Sequence, residues 1–137
     1  GAGAAGGLGF AFLSFLNARL KPGISIVLEQ LEFEQELKSA DFLVTGEGKL
    51  DAQTAMGKAP SGIARLAKKY DVPVIALGGT LAKDAGECNK YGIDALFSII
   101  NAPISLEDAL LPETAAVNLR KTAEQVFRLI QAVKNKR

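Results

Sequence analysis

Histidine is absent from the 137 residues, and cysteine occurs once, as Cys88. Without histidine the chain holds no Ser-His-Asp triad, no imidazole metal ligand and no imidazole base. Acid–base work falls to Asp, Glu, Lys or Tyr. A single cysteine makes no internal disulfide and no thiolate zinc site, which fits a reducing compartment. An excess of either charge is missing too: 16 Lys and Arg against 15 Asp and Glu leave a net +1. No basic stripe marks a nucleic-acid partner. The tail Lys134-Asn135-Lys136-Arg137 reads as a solvated helix end, where cations suit the dipole. Gly1 to Leu20 is apolar, but it is glycine-rich, short for a bilayer span and without the basic leader of a signal peptide. No membrane partner is expected. An initiating Met is lacking as well, and the chain opens inside a glycine-rich motif, so a piece of a longer protein is expected.

What is present suits one globular domain over 1–137: 48% hydrophobic and 23% charged residues, on a length that supports a core. Ala4 to Ala18 reads as a helix apolar almost all round, which needs burial on most faces. In a chain this short it is expected to pack on something outside it. Ile24 to Leu31 and Glu32 to Ser39 read as two short helices. Asp41 to Thr45, Val72 to Leu77 and Ile93 to Ile100 are apolar runs that read as strands. Between and after them, Pro60 to Tyr70, Ala82 to Tyr91, Ser105 to Leu110 and Pro112 to Val133 carry helical spacing, with Ser105 as an N-cap three residues before Asp108. Strands alternating with helices predict an α/β fold in three layers with a mainly parallel sheet.

In such sheets, ligands bind beyond the carboxyl ends of the strands. The first strand leads into Gly46-Glu47-Gly48-Lys49-Leu50-Asp51-Ala52-Gln53-Thr54, the second into Gly78-Gly79-Thr80, and the third into Asn101-Ala102-Pro103. The first segment is the richest. Gly46 and Gly48 allow a ligand close to the backbone. Glu47 and Asp51 supply two carboxylates, Lys49 and Lys58 bracket them, and Gln53 and Thr54 add neutral hydrogen-bonding groups. Acids that hold Mg²⁺ or accept a hydroxyl proton, beside lysines that offset phosphate charge, suit phosphoryl transfer. A solvated βα loop with no ligand is the equal alternative on spacing alone. Gly79 is as much a strand-ending turn as a ligand contact.

Gly1-Ala2-Gly3-Ala4-Ala5-Gly6-Gly7 formally matches G-x-G-x-x-G, yet no strand precedes it and the next strand starts only near Asp41. A helix start whose Gly3, Gly6 and Gly7 amides face an anion fits better than a dinucleotide site. Close helix packing through small residues fits equally well. A Walker A loop fails, because position 52 is alanine where the motif needs glycine and Ala59 follows Lys58. Cys88 is expected on a helix without a role.

Gly46 to Thr54, followed by Gly57-Lys58-Ala59-Pro60, resembles the signature of the type 1 glycerate kinases. Gly1 to Gly9 resembles a second signature of that family, and Pro22-Gly23-Ile24 and the closing helix match in order and spacing. The resemblance covers essentially the whole chain. It implies a C-terminal portion of a longer enzyme with two α/β domains and the active site between them. It implies transfer of the γ-phosphoryl of ATP to D-glycerate with Mg²⁺, 2-phosphoglycerate as product, and a bacterial cytoplasmic setting. Glu47 or Asp51 would hold Mg²⁺ or accept the proton, and Lys58 would meet phosphate. Gly3, Gly6, Gly7, Gly46, Gly48, Gln53, Thr54 and Gly79 would line the substrate and nucleotide sites. The 137 residues by themselves are expected to be inactive, their partners being glycerate, ATP and the rest of the parent chain, with a homo-oligomer left open. The rivals are a nucleotide- or dinucleotide-binding module without kinase chemistry, and a non-catalytic interaction domain using the apolar first helix.

Overall fold

The computed structural model describes residues 3–55 and 59–136. In chain order the elements are α1 (Ala4–Phe15), α2 (Gly23–Gln30), α3 (Phe33–Leu37), β1 (Leu43–Leu50), α4 (Ala52–Ala55) and α5 (Ala59–Lys68). There follow β2 (Val74–Leu81), a 3-10 helix (Ala85–Tyr91), β3 (Ala95–Ser98), α6 (Leu106–Ala109) and α7 (Pro112–Lys134). The three strands form one sheet in the order β1-β2-β3, and both pairings are parallel.

Alternation along the central strand builds two cores. Val74 and Ala76 join Leu43, Leu50, Ala64, Ala67, Cys88 and Ile93 in the larger one, beneath α5, α3 and the 3-10 helix. Ile75 and Leu77 point the other way and pack with Val126 of α7, flanked by Phe42, Phe97 and Ile130. Helices therefore cover both faces, as the three-layer expectation requires, and β2 is buried from Val74 through Gly78. The capping prediction at α6 holds: Ser105 Oγ accepts the Asp108 N–H at 3.0 Å.

Three expectations change. β1 was expected to stop at Thr45 and β2 at Leu77, because glycine and charged residues are weak strand formers. Instead Glu47 pairs with Gly78, Lys49 with Thr80 and Leu50 with Leu81. Both segments expected as loops are strand, since pairing across the sheet overrides local preference. The helix expected over Ala82 to Tyr91 is a 3-10 helix beginning at Ala85. In α7, Val126 is buried, whereas Leu119 and Phe127 are more than 40% exposed.

α1 starts irregularly. Ala5, Gly6 and Gly7 have φ of 52°, 66° and 90°, so regular helix begins only at Leu8. Its apolar side chains lie open, with Phe10 at 61% and Phe15 at 80% exposure. No described helix is long and apolar enough to cross a membrane.

Candidate functional site

Parallel pairing brings the two richest segments side by side, with Gly46 to Leu50 running along Leu77 to Leu81. The glycines there have different reasons to be glycine. A Cβ on Gly79 would lie 2.5 Å from the Gly48 carbonyl oxygen, and one on Gly46 would lie 3.0 Å from the Leu77 carbonyl oxygen. Those two permit the strands to close. A Cβ on Gly48 would meet nothing within 4 Å, and the residue is exposed. Packing gives no reason for glycine at 48, whereas an outside group approaching the backbone does.

Glu47 and Lys49 flank Gly48 on β1. Glu47 is half-buried, and Lys49 is exposed. Asp51 follows immediately, its Oδ2 3.6 Å from Lys49 Nζ. Its other oxygen is engaged. Asp51 Oδ1 accepts the Thr54 backbone N–H at 3.0 Å and faces the Thr54 hydroxyl at 3.2 Å, while the Asp51 N–H donates to Thr54 Oγ1 at 3.2 Å. This is a reciprocal N-cap on α4 with Thr in the place of the usual Glu or Gln. It explains why Thr54 is fully buried. The Thr54 hydroxyl holds the turn, and Gln53 beside it is exposed.

Sequence reasoning missed one supporting residue. Cys88, expected to have no role, is completely buried, and its Sγ donates to the Asp51 carbonyl oxygen at 3.4 Å. Burial, with the Asp51 charge adding to it, pushes the thiol above its ordinary range. The only sequence signal was its place, one cysteine in an otherwise polar stretch, and that does not reveal a partner 37 residues away.

Among the described residues no hydrogen bond joins Gly3, Gly6 or Gly7 to β1 or β2, and a Cβ on any of the three would meet nothing within 4 Å. Lys58 lies outside the described residues. Among those described, no three acidic or thiol groups converge into a metal cage. Mg²⁺ does not require one: it takes one or two carboxylates and fills its octahedron with water and substrate phosphate oxygens. The donor set on β1 and the turn after it, Glu47 and Asp51, fits that mode.

The model of the "Glycerate kinase family" matches residues 1–131. The glycerate kinase of Bacillus subtilis (strain 168) is 48% identical over 134 residues, covering 98% of this chain and 35% of the relative. The glycerate 2-kinase of Escherichia coli (strain K12) is 46% identical over 109 residues, covering 80% of this chain and 29% of the relative. A solved structure from Salmonella typhimurium LT2, assigned as a glycerate kinase 2, superposes with a TM-score of 0.73 at 43% identity, over 98% of this chain and 34% of that one. The chain thus spans about a third of the length of the relatives it matches.

Proposed function

Because this chain belongs to the glycerate kinase family, we propose that it forms one wall of an active site that phosphorylates D-glycerate from ATP, giving 2-phosphoglycerate. The observation that carries the reading is the β1 ending itself. Gly48 lies open, with no packing reason to be glycine, between a half-buried carboxylate at 47 and an exposed ammonium at 49. It stands at the carboxyl end of a parallel strand, where α/β folds place ligands.

In this reading the glycerate hydroxyl attacks the γ-phosphorus, the bond to the β-phosphate oxygen breaks, ADP leaves, and the hydroxyl proton passes to a carboxylate. Glu47 is the better placed acceptor, because Asp51 Oδ1 is engaged in the cap. Glu47 and Asp51 are the carboxylates that would hold Mg²⁺, whose charge would offset that developing on the transferred phosphoryl. The Lys49 ammonium supports the phosphates, and Lys58 is proposed for the same task. The open Gly48 backbone lets a phosphate or the substrate approach closely. Gly46 and Gly79 act indirectly, by letting the two strands meet. Gln53, exposed at the start of α4, is the neutral contact we assign to substrate. Gly3, Gly6 and Gly7, whose backbone lies open, are proposed to offer amides to the same ligands.

A cleft needs two walls, and the relatives are about three times as long as this chain. The activity is accordingly that of a full-length protein in the bacterial cytoplasm, with the 137 residues inactive alone. The test replaces the matched segment of the Bacillus subtilis protein by this chain and follows ADP release with D-glycerate and Mg-ATP. Turnover that depends on both substrates is expected. A chimera that folds, binds NAD saturably and does not turn over glycerate would overturn the reading.

A further inference from the structure

The carboxyl end of β3 leads into Asn101-Ala102-Pro103, the strand ending that has no part in the chemistry proposed above. The chain stays bonded to the sheet just past β3, where the Ile99 N–H donates to the Gly78 carbonyl at 2.8 Å. Glu47 pairs with Gly78, and Gly78 with Ser98, so these three stand in one row across the sheet. Asn101 lies three residues past that row and Asp51 four, both at the carboxyl end. Two strand spacings, about 10 Å, separate β3 from β1.

Asn101 is exposed, yet its amide is held at both ends. Its Oδ1 accepts the hydroxyl of Thr122, a buried residue of α7, at 3.2 Å, and its Nδ2 donates to the Asn118 carbonyl at 3.4 Å. Thr122 also faces the Ser98 carbonyl, at the longer distance of 3.5 Å. A threonine hydroxyl inside a helix ordinarily bonds the carbonyl four residues back, which here is that of Asn118. Asn101 takes that carbonyl and offers its own oxygen to the hydroxyl. The exchange fixes which end of the amide is nitrogen and which is oxygen. Each end keeps capacity for one more bond, a second N–H on Nδ2 and a second lone pair on Oδ1. Among the described residues nothing else bonds them. Ser105 caps the helix that follows, so capping does not account for the amide.

We infer that Asn101 is a nucleotide-binding residue, its amide bonding a ribose hydroxyl of the phosphoryl donor, and that Thr122 is the residue that positions it. An amide with one donor and one acceptor to spare matches a hydroxyl, which both donates and accepts. A carboxylate or phosphate only accepts, and would leave the amide oxygen facing negative charge. The inference rests on the proposed place of the phosphates at β1, beside Lys49 and the carboxylates. From there, about 10 Å is beyond the reach of a three-carbon acid and within the length of a nucleoside triphosphate. Holding an exposed amide in one orientation lowers the ordering cost of binding.

Calorimetry on the Bacillus subtilis chimera with ADP and 2′,3′-dideoxy-ADP tests it without turnover. The parent chimera should bind ADP about 10-fold more tightly than the dideoxy analogue, the worth of one to two hydrogen bonds. Asn101→Ala should bind the two alike. So should Thr122→Val, which keeps the side-chain shape and loses the hydroxyl, while Thr122→Ser should restore the preference. A merely structural pair would lower the urea midpoint in these variants and leave the preference as it was. Equal affinity of the parent chimera for both nucleotides overturns the inference, as does a preference that survives in Asn101→Ala. Failure of Asn101→Ala to fold overturns it too, since the amide would then serve to tie the loop to α7. Glycerate turnover with Mg-ATP is recorded separately. Its absence in a parent chimera that still discriminates the two nucleotides counts against the kinase reading alone.

Discussion

Asp51 and Thr54 cap each other: the Asp51 carboxylate accepts the Thr54 N–H at 3.0 Å, and Thr54 Oγ1 accepts the Asp51 N–H at 3.2 Å. The same carboxylate is half of the acidic pair proposed for Mg²⁺ and the transferred proton. Structural and chemical roles therefore meet in one side chain, and substitutions can separate them.

Asparagine at 51 keeps an acceptor for the cap and loses the charge, whereas alanine loses both. Asp51→Asn should leave the denaturation midpoint of the chimera close to the parent's while removing most glycerate-dependent ADP release. Asp51→Ala should in addition destabilise by about 1 kcal/mol, the usual worth of an N-cap. Full turnover in Asp51→Asn would confine this residue to the cap.

Gly48 and Gly79 face each other across the strand pair and predict opposite phenotypes. Gly79→Ala forces a methyl group to within 2.5 Å of the Gly48 carbonyl oxygen. The strands must part, at a cost of about 1–3 kcal/mol for overpacking. Gly48→Ala meets open space and should leave stability within about 0.5 kcal/mol of the parent. If a ligand lies against that backbone, the same change should raise the apparent KM for glycerate or ATP several-fold. Urea titration and steady-state kinetics on the two variants separate the effects.

Asp94 fastens the opposite end of the sheet. It accepts Lys68 Nζ at 2.7 Å and the Val74 N–H at 2.7 Å. Burial works against its ionisation, but the Lys68 hydrogen bond, the Val74 N–H and the Lys68 charge outweigh that and hold the carboxyl below its usual range. A depressed folded-state pKa stabilises above the unfolded-state value and loses that contribution as pH falls through the folded one. Acid titration of stability should therefore fall below about pH 4, the unfolded range for Asp, and less steeply in Asp94→Asn. The pair is partly exposed, so the difference should be modest and should shrink in high salt. Identical acid profiles for the two proteins would remove Asp94 from this role.

Cys88 should resist alkylation. Its thiol is fully buried, bonded to the Asp51 carbonyl and shifted upward by burial, and only the thiolate reacts. Iodoacetamide at pH 7.5 should label the native protein far more slowly than the urea-unfolded one. Equal rates would show that the turn carrying Asp51 opens readily.

Much of the fold was legible locally. Apolar runs around Leu43, Val74 and Leu96 announced three strands, the alternation with helices announced a parallel sheet, and Ser105 with Asp108 announced its cap. The strand endings were not legible, because Gly46-Glu47-Gly48 and Gly78-Gly79 have low intrinsic strand preference and become strand only by pairing with each other. The signature segment was visible as a motif; that Thr54 is buried in a cap and Cys88 supports Asp51 was not, since both depend on contacts that form only after α4 and the 3-10 helix pack on the sheet.

The sequence by itself determined the class of fold, the family, and the residue types available for chemistry: carboxylates and lysines in a chain without histidine. Only the tertiary structure decided which glycine is open and which is packed, and which groups hold Asp51 in its turn. Composition and spacing act along the chain, whereas strand register and burial are set by groups far apart in sequence that meet only when the sheet closes.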